Sequence, residues 1–155
     1  MKVRMAEEKD IGRLKDLLSQ VLEIHAEGRP DIFVSGTTKY NNAQLAAKIH
    51  DENIPMLVLA DDEDVVQGYA MCEIQHNKSN NMHDIITLYL DDLCVDETCR
   101  GKQYGKVLYE AVKEYGRKIG AYHVTLNVWE CNGDGLKFYE AMGMKVLKRT
   151  MEEIL

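Results

Sequence analysis

The stretch Arg100-Gly-Lys-Gln-Tyr-Gly-Lys106 sets two glycines among three cations. It follows an apolar run, Ile85 to Val95, that reads as a buried strand, and it opens a helical pattern. At such a turn the first backbone N–H groups of the helix have no intrahelical acceptor, and glycine lets a ligand approach them closely. This is a place that binds anions, phosphates above all. From Glu97 to Lys118 there are six basic and three acidic residues, inside a chain whose 19 basic and 26 acidic residues leave a net charge of −7. The turn matches neither G-x-x-x-x-G-K-[ST] nor G-x-G-x-x-G, which sets aside the ATP and dinucleotide fingerprints.

Two further groups carry reactive side chains. Asp91 and Asp92 stand side by side near the end of the long strand. Asp91 falls on the face of Thr87, Tyr89 and Leu93, whereas Asp92 interrupts the apolar face of Ile86, Leu88 and Leu90 and so requires a bulge or a polar partner. A carboxylate pair of this kind can hold a cation and accept its proton. Downstream, Asn132-Gly-Asp-Gly leads into Leu136-Lys-Phe-Tyr139-Glu. Taken alone, Asn132-Gly133 is an ordinary turn and Phe138-Tyr139 is helix core, but a phenol of pKa roughly 10 can also donate a proton to a thiolate.

The elements that must position these groups read as follows. A short strand at Lys2 to Met5 precedes a helix with Ile11, Leu14, Leu18, Val21, Leu22 and His25 on one stripe, Asp10 as its N-cap and Gly28 and Pro30 ending it. A loop from Arg29 leads to a shorter helix, Asn42 to Asp51. Strands at Pro55 to Ala60 and Val65 to Gln75 flank the turn Asp61-Asp62-Glu63-Asp64, which is a solvated hairpin turn. A polar loop, His76 to Asp84, leads to the long strand Ile85 to Val95. The helix after the glycine turn carries Val107, Leu108, Ala111, Val112, Tyr115 and Ile119, and Gly120 stops it. A strand at Tyr122 to Trp129, a helix from Leu136 to Met142 capped by Gly143, and a last strand from Lys145 complete a mixed α/β order.

Composition narrows the function further. At 155 residues, 45% hydrophobic and 29% charged, the chain has material for one conventional domain over 1–155. The net negative charge argues against nucleic acid as a partner. No apolar stretch approaches the roughly 20 residues of a membrane span, and the N-terminus lacks the apolar core of a signal peptide, so the expectation is a cytoplasmic protein without a membrane partner. Cys72, Cys94, Cys99 and Cys131 form no C-x-x-C pair and the five histidines are scattered, so neither a metal site nor a disulfide framework is expected. Cys94 and Cys99 are read as small core residues, with a reactive pair as the alternative.

The strand, the R-G-K-Q-Y-G-K turn, the helix and the following N-x-x-x-x-x-F-Y-E-x-x-G, together spanning Leu88 to Met144, resemble the GNAT family of acetyl-CoA-dependent N-acetyltransferases. The resemblance implies an α/β fold of the α+β type, with a mixed, mostly antiparallel central sheet, two splayed strands and helices on both faces. It implies that Arg100, Gly101, Lys102, Gln103, Gly105 and Lys106 hold the coenzyme A pyrophosphate. Leu93, Cys94 and Val95 offer backbone groups to the pantetheine arm and thioester, while Asn132 and Phe138 contribute to cofactor binding. Gln103 departs from the pattern, standing where the family's first signature glycine sits.

By the same resemblance Tyr139 protonates the leaving thiolate. Leu88-Tyr-Leu-Asp-Asp-Leu-Cys-Val is similar to the corresponding strand of the spermidine/spermine and diamine acetyltransferases, which makes Asp91 and Asp92 the groups that bind a cationic acceptor and relay its proton, with Asp91 the better match to the catalytic acid. The acceptor side falls on the first two helices and their loop, giving His25, Arg29, Asp31, Phe33 and Tyr40 as substrate contacts. The implied reaction is direct transfer of an acetyl group to a small cationic amine such as a polyamine or an aminoglycoside, with no metal. The alternatives are a protein N-terminal or lysine acetyltransferase, a covalent route through Cys94, and a coenzyme A-binding module without catalysis. Dimers are common among similar proteins, and a homodimer through the last strand is a further expectation.

Overall fold

Apolar residues recur on both faces of the second strand, Met56-Leu-Val-Leu-Ala60, because helices cover it on both sides. In the computed structural model, which describes all 155 residues, Met56 and Val58 face one core cluster and Leu57 and Leu59 the other. The elements are β1 (Lys2–Met5), α1 (Ile11–Gly28), α2 (Asn42–Ile49), β2 (Met56–Ala60), β3 (Val66–Ser79), β4 (Met82–Val95), α3 (Tyr104–Lys118), β5 (His123–Leu126) and α4 (Gly133–Ala141). They form one sheet in the order β1-β2-β3-β4-β5, antiparallel except for the β4–β5 pair. The mixed α/β sheet expected from the sequence is therefore present.

The first cluster joins α1 and α2 to the sheet through Leu14, Leu17, Leu18 and Leu45, against Val58, Tyr69, Met71 and Cys94. The second joins α3 to the opposite face through Leu108, Tyr109 and Val112, against Ala70, Cys72, Leu88 and Leu90. Val107, expected on the buried stripe of α3, lies outward, and Tyr109 takes the core position. Helix α2 starts at a capping box in which Asn41 accepts from the Gln44 amide and Gln44 accepts from the Asn41 amide.

Three expectations are corrected. Asp10 is not a side-chain cap of α1; a short 3-10 turn, Glu8–Asp10, precedes the helix, and the Asp10 carboxylate instead accepts from both terminal nitrogens of Arg4 at 2.7 and 3.0 Å and from the Glu7 amide at 2.8 Å. The polar segment His76 to Asp84 is not a loop. It is the distal arm of the β3–β4 hairpin, with Ser79 paired to Met82, and it reads as loop because this end of the ribbon extends beyond the core and is exposed. The last strand from Lys145 is absent: residues 145–155 belong to no helix or strand and lie exposed.

The acidic hairpin turn is present as expected. Asp61 accepts from the amides of Glu63 and Val65, and Asp64 binds Lys9 and Arg4. Arg4 thus ties the turn to Asp10 and the start of α1. Burial pushes the Asp10 carboxyl up, but the hydrogen bonds from Arg4 and the Glu7 amide outweigh it and hold the group below its ordinary value. A carboxyl so depressed stabilises the fold above the unfolded-state value of about 3.9 and loses that contribution as pH falls through its folded-state value. Asp10→Ala is expected to cost about 1–3 kcal/mol at neutral pH, and denaturant titration should show the difference from wild type shrinking below about pH 4.

Candidate active site

Strands β4 and β5 pair in register from Thr87↔His123 to Leu90↔Leu126 and then part. Beyond that point Asp92 to Val95 still pairs with β3, but its β5 side has no strand partner. The two strands splay as expected, and the opening is a cavity of about 1400 Å³. Leu93, Cys94 and Val95 line it on one side, and Asn127, Val128 and Trp129 on the other.

At one end of the cavity is the glycine turn. No backbone N–H from Arg100 to Lys106 finds an acceptor within the chain; the first that does is Val107, which donates to Gln103. Gly101 has φ 80°, and Gln103, the cap residue of α3, sits in the left-handed region at φ 62°. That is the conformation glycine adopts most readily, so glutamine carries a conformational cost there. A Cβ on Gly105 would lie 3.2 and 3.3 Å from two carbons of the Phe138 ring, so the absence of a side chain lets the turn and α4 come together. Arg100, Gly101, Gln103, Gly105 and Lys106 line the cavity, as do Asn132 and Phe138, whereas Lys102 points elsewhere. Unpartnered amides, flanking cations and an apolar crevice between strands suit a pyrophosphate joined to a long flexible arm. Asn132 itself caps α4, its side chain accepting from the Gly135 amide at 3.1 Å.

The turn is braced from below by Asp96, whose carboxylate accepts from the Thr98 amide and hydroxyl, from Gln20 and from Arg13. These bonds, Thr98 foremost, hold its carboxyl well below the usual range. Arg13 and Gln20 belong to α1, so the helix that packs the first core cluster also fixes the start of the glycine turn.

At the centre stand the acids and Tyr139. The β3–β4 register shifts between the pairs Met71↔Asp92 and Cys72↔Leu90, which leaves Asp91 as the extra residue of a bulge. The bulge turns Asp92 towards the α1 side, where the Tyr69 hydroxyl donates to its carboxylate at 2.8 Å. Asp92 has both features its position required, a bulge and a partner. Its side chain is 11% exposed against 30% for Asp91. Burial pushes the Asp92 carboxyl above its ordinary value, although Lys39 and Tyr69 pull in the other direction. The Tyr139 hydroxyl makes no hydrogen bond within the chain, yet no deeply buried side-chain oxygen lacks a partner, so this hydroxyl reaches the cavity. Burial, and then the Asp92 charge, push its phenol up, which keeps it protonated at neutral pH. Burial pushes the Cys94 thiol up to about 12, which removes the thiolate that a covalent route would need.

Another part of the cavity is aromatic. Phe33 lies 5.1 Å from the His25 ring and 5.0 Å from Trp129, the latter edge to face. A Cβ on Gly28 would lie 2.6 Å from the Cys131 sulfur, so glycine here lets the end of α1 meet the loop that carries Trp129. Burial, reinforced by the Lys39 charge, lowers the His25 pKa. His25 and Phe33 line the cavity, but Arg29, Asp31 and Tyr40 do not. Arg29 forms a two-pronged ion pair with Asp31 and another with Glu152, and Tyr40 packs against the first core cluster beneath Lys39 and Lys48. Sequence reasoning missed Lys39, Tyr69 and Trp129. The Lys39 ammonium lies 3.1 Å from Asp91 and 3.9 Å from Asp92.

A model of the acetyltransferase (GNAT) family matches residues 18–144. The L-ornithine N5-acetyltransferase NATA1 of Arabidopsis thaliana is 37% identical over 60 residues, 39% of this chain and 26% of that protein, so the chain spans well under two thirds of that relative's length. Among solved structures, a mutant of the BH1408 protein from Bacillus halodurans is 32% identical, with a TM-score of 0.95 over 100% of this chain and 99% of that one. The aminoglycoside N-acetyltransferase AAC(6')-Iy, in complex with CoA, is 16% identical with a TM-score of 0.71 over 99% of this chain and 98% of that one, a likeness of fold.

The bond between Tyr69 and Asp92 has a measurable consequence. Tyr69→Phe removes a donor that favours the ionised carboxylate, so the Asp92 carboxyl is expected to rise further and stability at pH 7 to fall by about 1–2 kcal/mol. Carbon-detected NMR titration of the aspartate side chains, with denaturant unfolding alongside, measures both.

Proposed function

The chain belongs to the acetyltransferase (GNAT) family, and from that premise we propose that it moves an acetyl group from acetyl-CoA directly to a primary amine on a small cationic acceptor such as a polyamine or an aminoglycoside. The observation that carries the acceptor class is Lys39: a primary ammonium on an alkyl arm already rests 3.1 Å from Asp91 and 3.9 Å from Asp92 inside the cavity. The same acids lie on the segment that resembles the spermidine/spermine and diamine acetyltransferases. A cytoplasmic setting belongs to this reading; no helix is long and apolar enough to cross a membrane.

Acetyl-CoA supplies the thioester whose carbonyl the amine attacks. The open amides from Arg100 to Lys106, with the Arg100 and Lys106 side chains, hold its pyrophosphate, and the free edge of Leu93 to Val95 receives the arm that carries the thioester. Asp91 and Asp92 bind the acceptor ammonium. Asp92, its carboxyl raised by burial, accepts the proton that the amine must lose before it becomes a nucleophile. His25, Phe33 and Trp129 wall the alkyl portion of the acceptor, and backbone N–H groups at the splay oppose the charge that develops on the carbonyl oxygen. Tyr139 Oη gives its proton to the departing sulfur. Each role uses a group already in position, so the rate gain rests on orientation and preorganised charge.

Thiol release from acetyl-CoA with a panel of polyamines, aminoglycosides, amino acids and short peptides tests the reading, with calorimetric titration of coenzyme A run in parallel. Turnover is expected with the small polycations; turnover with peptides alone would favour the protein-acetylating alternative, and no coenzyme A binding would end the proposal. Tyr139→Phe should lower kcat about 10²-fold while leaving coenzyme A affinity unchanged. In wild type the acid limb of the rate profile should lie above the ordinary aspartate value, activity rising with pH as Asp92 loses its proton.

Lys39→Met removes the internal ammonium from the acids. Its expected effect is a several-fold lower KM for a cationic acceptor with kcat little changed, by analogy with removing a competing ligand. A higher KM would instead assign Lys39 to holding the acceptor.

A further inference from the structure

A primary amine of the chain itself occupies the place proposed for an acceptor amine. Lys39 Nζ lies 3.1 Å from Asp91 and 3.9 Å from Asp92, and no other lysine pairs with either acid. The loop that carries it is tied on both sides. Before Lys39, Ser35 Oγ and the Gly36 amide donate to the Glu23 carboxylate of α1 at 2.5 and 2.7 Å, and Thr37 Oγ1 donates to the Val34 carbonyl at 2.6 Å. Beyond it, Asn41 caps α2. The backbone on either side of Lys39 is therefore anchored, and its ammonium is delivered to the acids. Desolvation works to lower the Lys39 pKa, but the charges of Asp92 and then Asp91 outweigh it and raise the group above its ordinary value.

The groups that an acetyl transfer needs surround this nitrogen. Lys39, Asp91, Asp92, Leu93, Cys94 and Tyr139 line one cavity. Asp92 directly precedes the free edge, Leu93 to Val95, assigned above to the thioester arm. The Asp92 charge acts on the Tyr139 phenol, so Lys39 Nζ and Tyr139 Oη both face the same carboxylate. Lys106, the other lysine lining the cavity, stands at the glycine turn instead. On the premise of the acetyl transfer proposed above, we infer that Lys39 is a modification site of the chain's own making: with acetyl-CoA and no external amine, the site acetylates its own Lys39, once. Asp92 takes one proton from the ammonium, and the freed electron pair on Nζ attacks the thioester carbon. The N–C bond forms, the C–S bond breaks, and Tyr139 protonates the sulfur. The second proton that Nζ loses returns to the phenol through solvent, so each chain yields one acetyl-lysine, one free thiol and one proton. The amide product carries no charge, which removes the cation that compensates Asp91 and Asp92.

With acetyl-CoA alone the full chain should release one equivalent of thiol and stop. Its intact mass should rise by one acetyl group, and peptide mass spectrometry should place that group on Lys39. Lys39→Arg should lose both signals while still binding coenzyme A, because a guanidinium keeps the charge and does not deprotonate to become a nucleophile. Tyr139→Phe should slow the labelling of Lys39 about 10²-fold. Spontaneous acetylation of Lys48, which lies over the Tyr40 ring outside the cavity, should keep its rate in the same variant. The first-order rate constant at Lys39 should not change when the chain is diluted. Labelling that slows on dilution would place the transfer between chains, and labelling that Tyr139→Phe leaves untouched would make it spontaneous; either overturns the inference. Turnover of an external amine with Lys39 left unmodified would overturn it and leave the proposed function standing, whereas no thiol release with or without an amine would overturn both.

Discussion

A single extra residue in β4 organises the site. Before the bulge Leu88 and Leu90 face the α3 side; after it Leu93 and Val95 do, and Asp92 and Cys94 turn to the α1 side. Had the alternation continued, Asp92 would have entered the apolar cluster beneath α3. The bulge delivers it instead to the hydroxyl of Tyr69, a residue with no exposed surface. Pairing of β4 with β5 ends at Leu90↔Leu126, one residue before the bulge. A bulge bends its strand and sharpens the local twist, so the crevice between the strands and the placing of the acids that line it trace to the same irregularity.

This explains what could be read from residue types alone and what could not. Asp92 was visible as an anomaly because a carboxylate broke an alternating apolar face, and the two available remedies followed from general rules. Which hydroxyl would answer it could not be read, since Tyr69 lies on the neighbouring strand and only the pairing register, Tyr69↔Cys94, sets it diagonally across from Asp92. Lys39 reaches the acids across 52 residues of sequence from a loop without periodicity, so no local signal pointed to it. Arg29, Asp31 and Tyr40 lie on the loop between the first two helices, the segment that the resemblance assigns to the acceptor side. Nearness along a loop does not decide facing, and these three turn to ion pairs and packing outside the cavity. The segment from Lys145 has the alternation of a strand, but a strand also needs a neighbour to pair with, and composition is silent on that.

At the glycine turn the chain departs from the pattern it resembles, and the residue that stands there still takes a left-handed conformation. Gln103 holds the left-handed conformation at φ 62° that glycine would take, at a cost of roughly 1–2 kcal/mol. The surroundings determine that conformation: Asp96 with Thr98 and Arg13 fixes the entry to the turn, and the Gly105–Phe138 contact fixes its exit. Local strain of this kind persists where neighbours leave the backbone no alternative. Here the result is a row of amides turned away from their own chain, available to an anion.

Charge completes the argument. The chain is acidic as a whole, yet its cavity is cationic at the turn and anionic at the acceptor end, so a ligand with a phosphate at one end and an amine approaching the other meets two fields of opposite sign. Asp92 is buried beside Asp91, and Lys39 compensates the pair. The Asp91 charge adds to the rise of the Asp92 carboxyl that burial begins. A cationic acceptor that displaces Lys39 returns the charge it removes. A neutral or anionic amine would displace Lys39 and leave the two carboxylates facing each other unneutralised, a state that low solvent access makes more costly than it would be in water. Under the proposed transfer, discrimination among acceptors by charge follows from the same burial that raises the Asp92 carboxyl, and one group would both accept the proton and select what brings it.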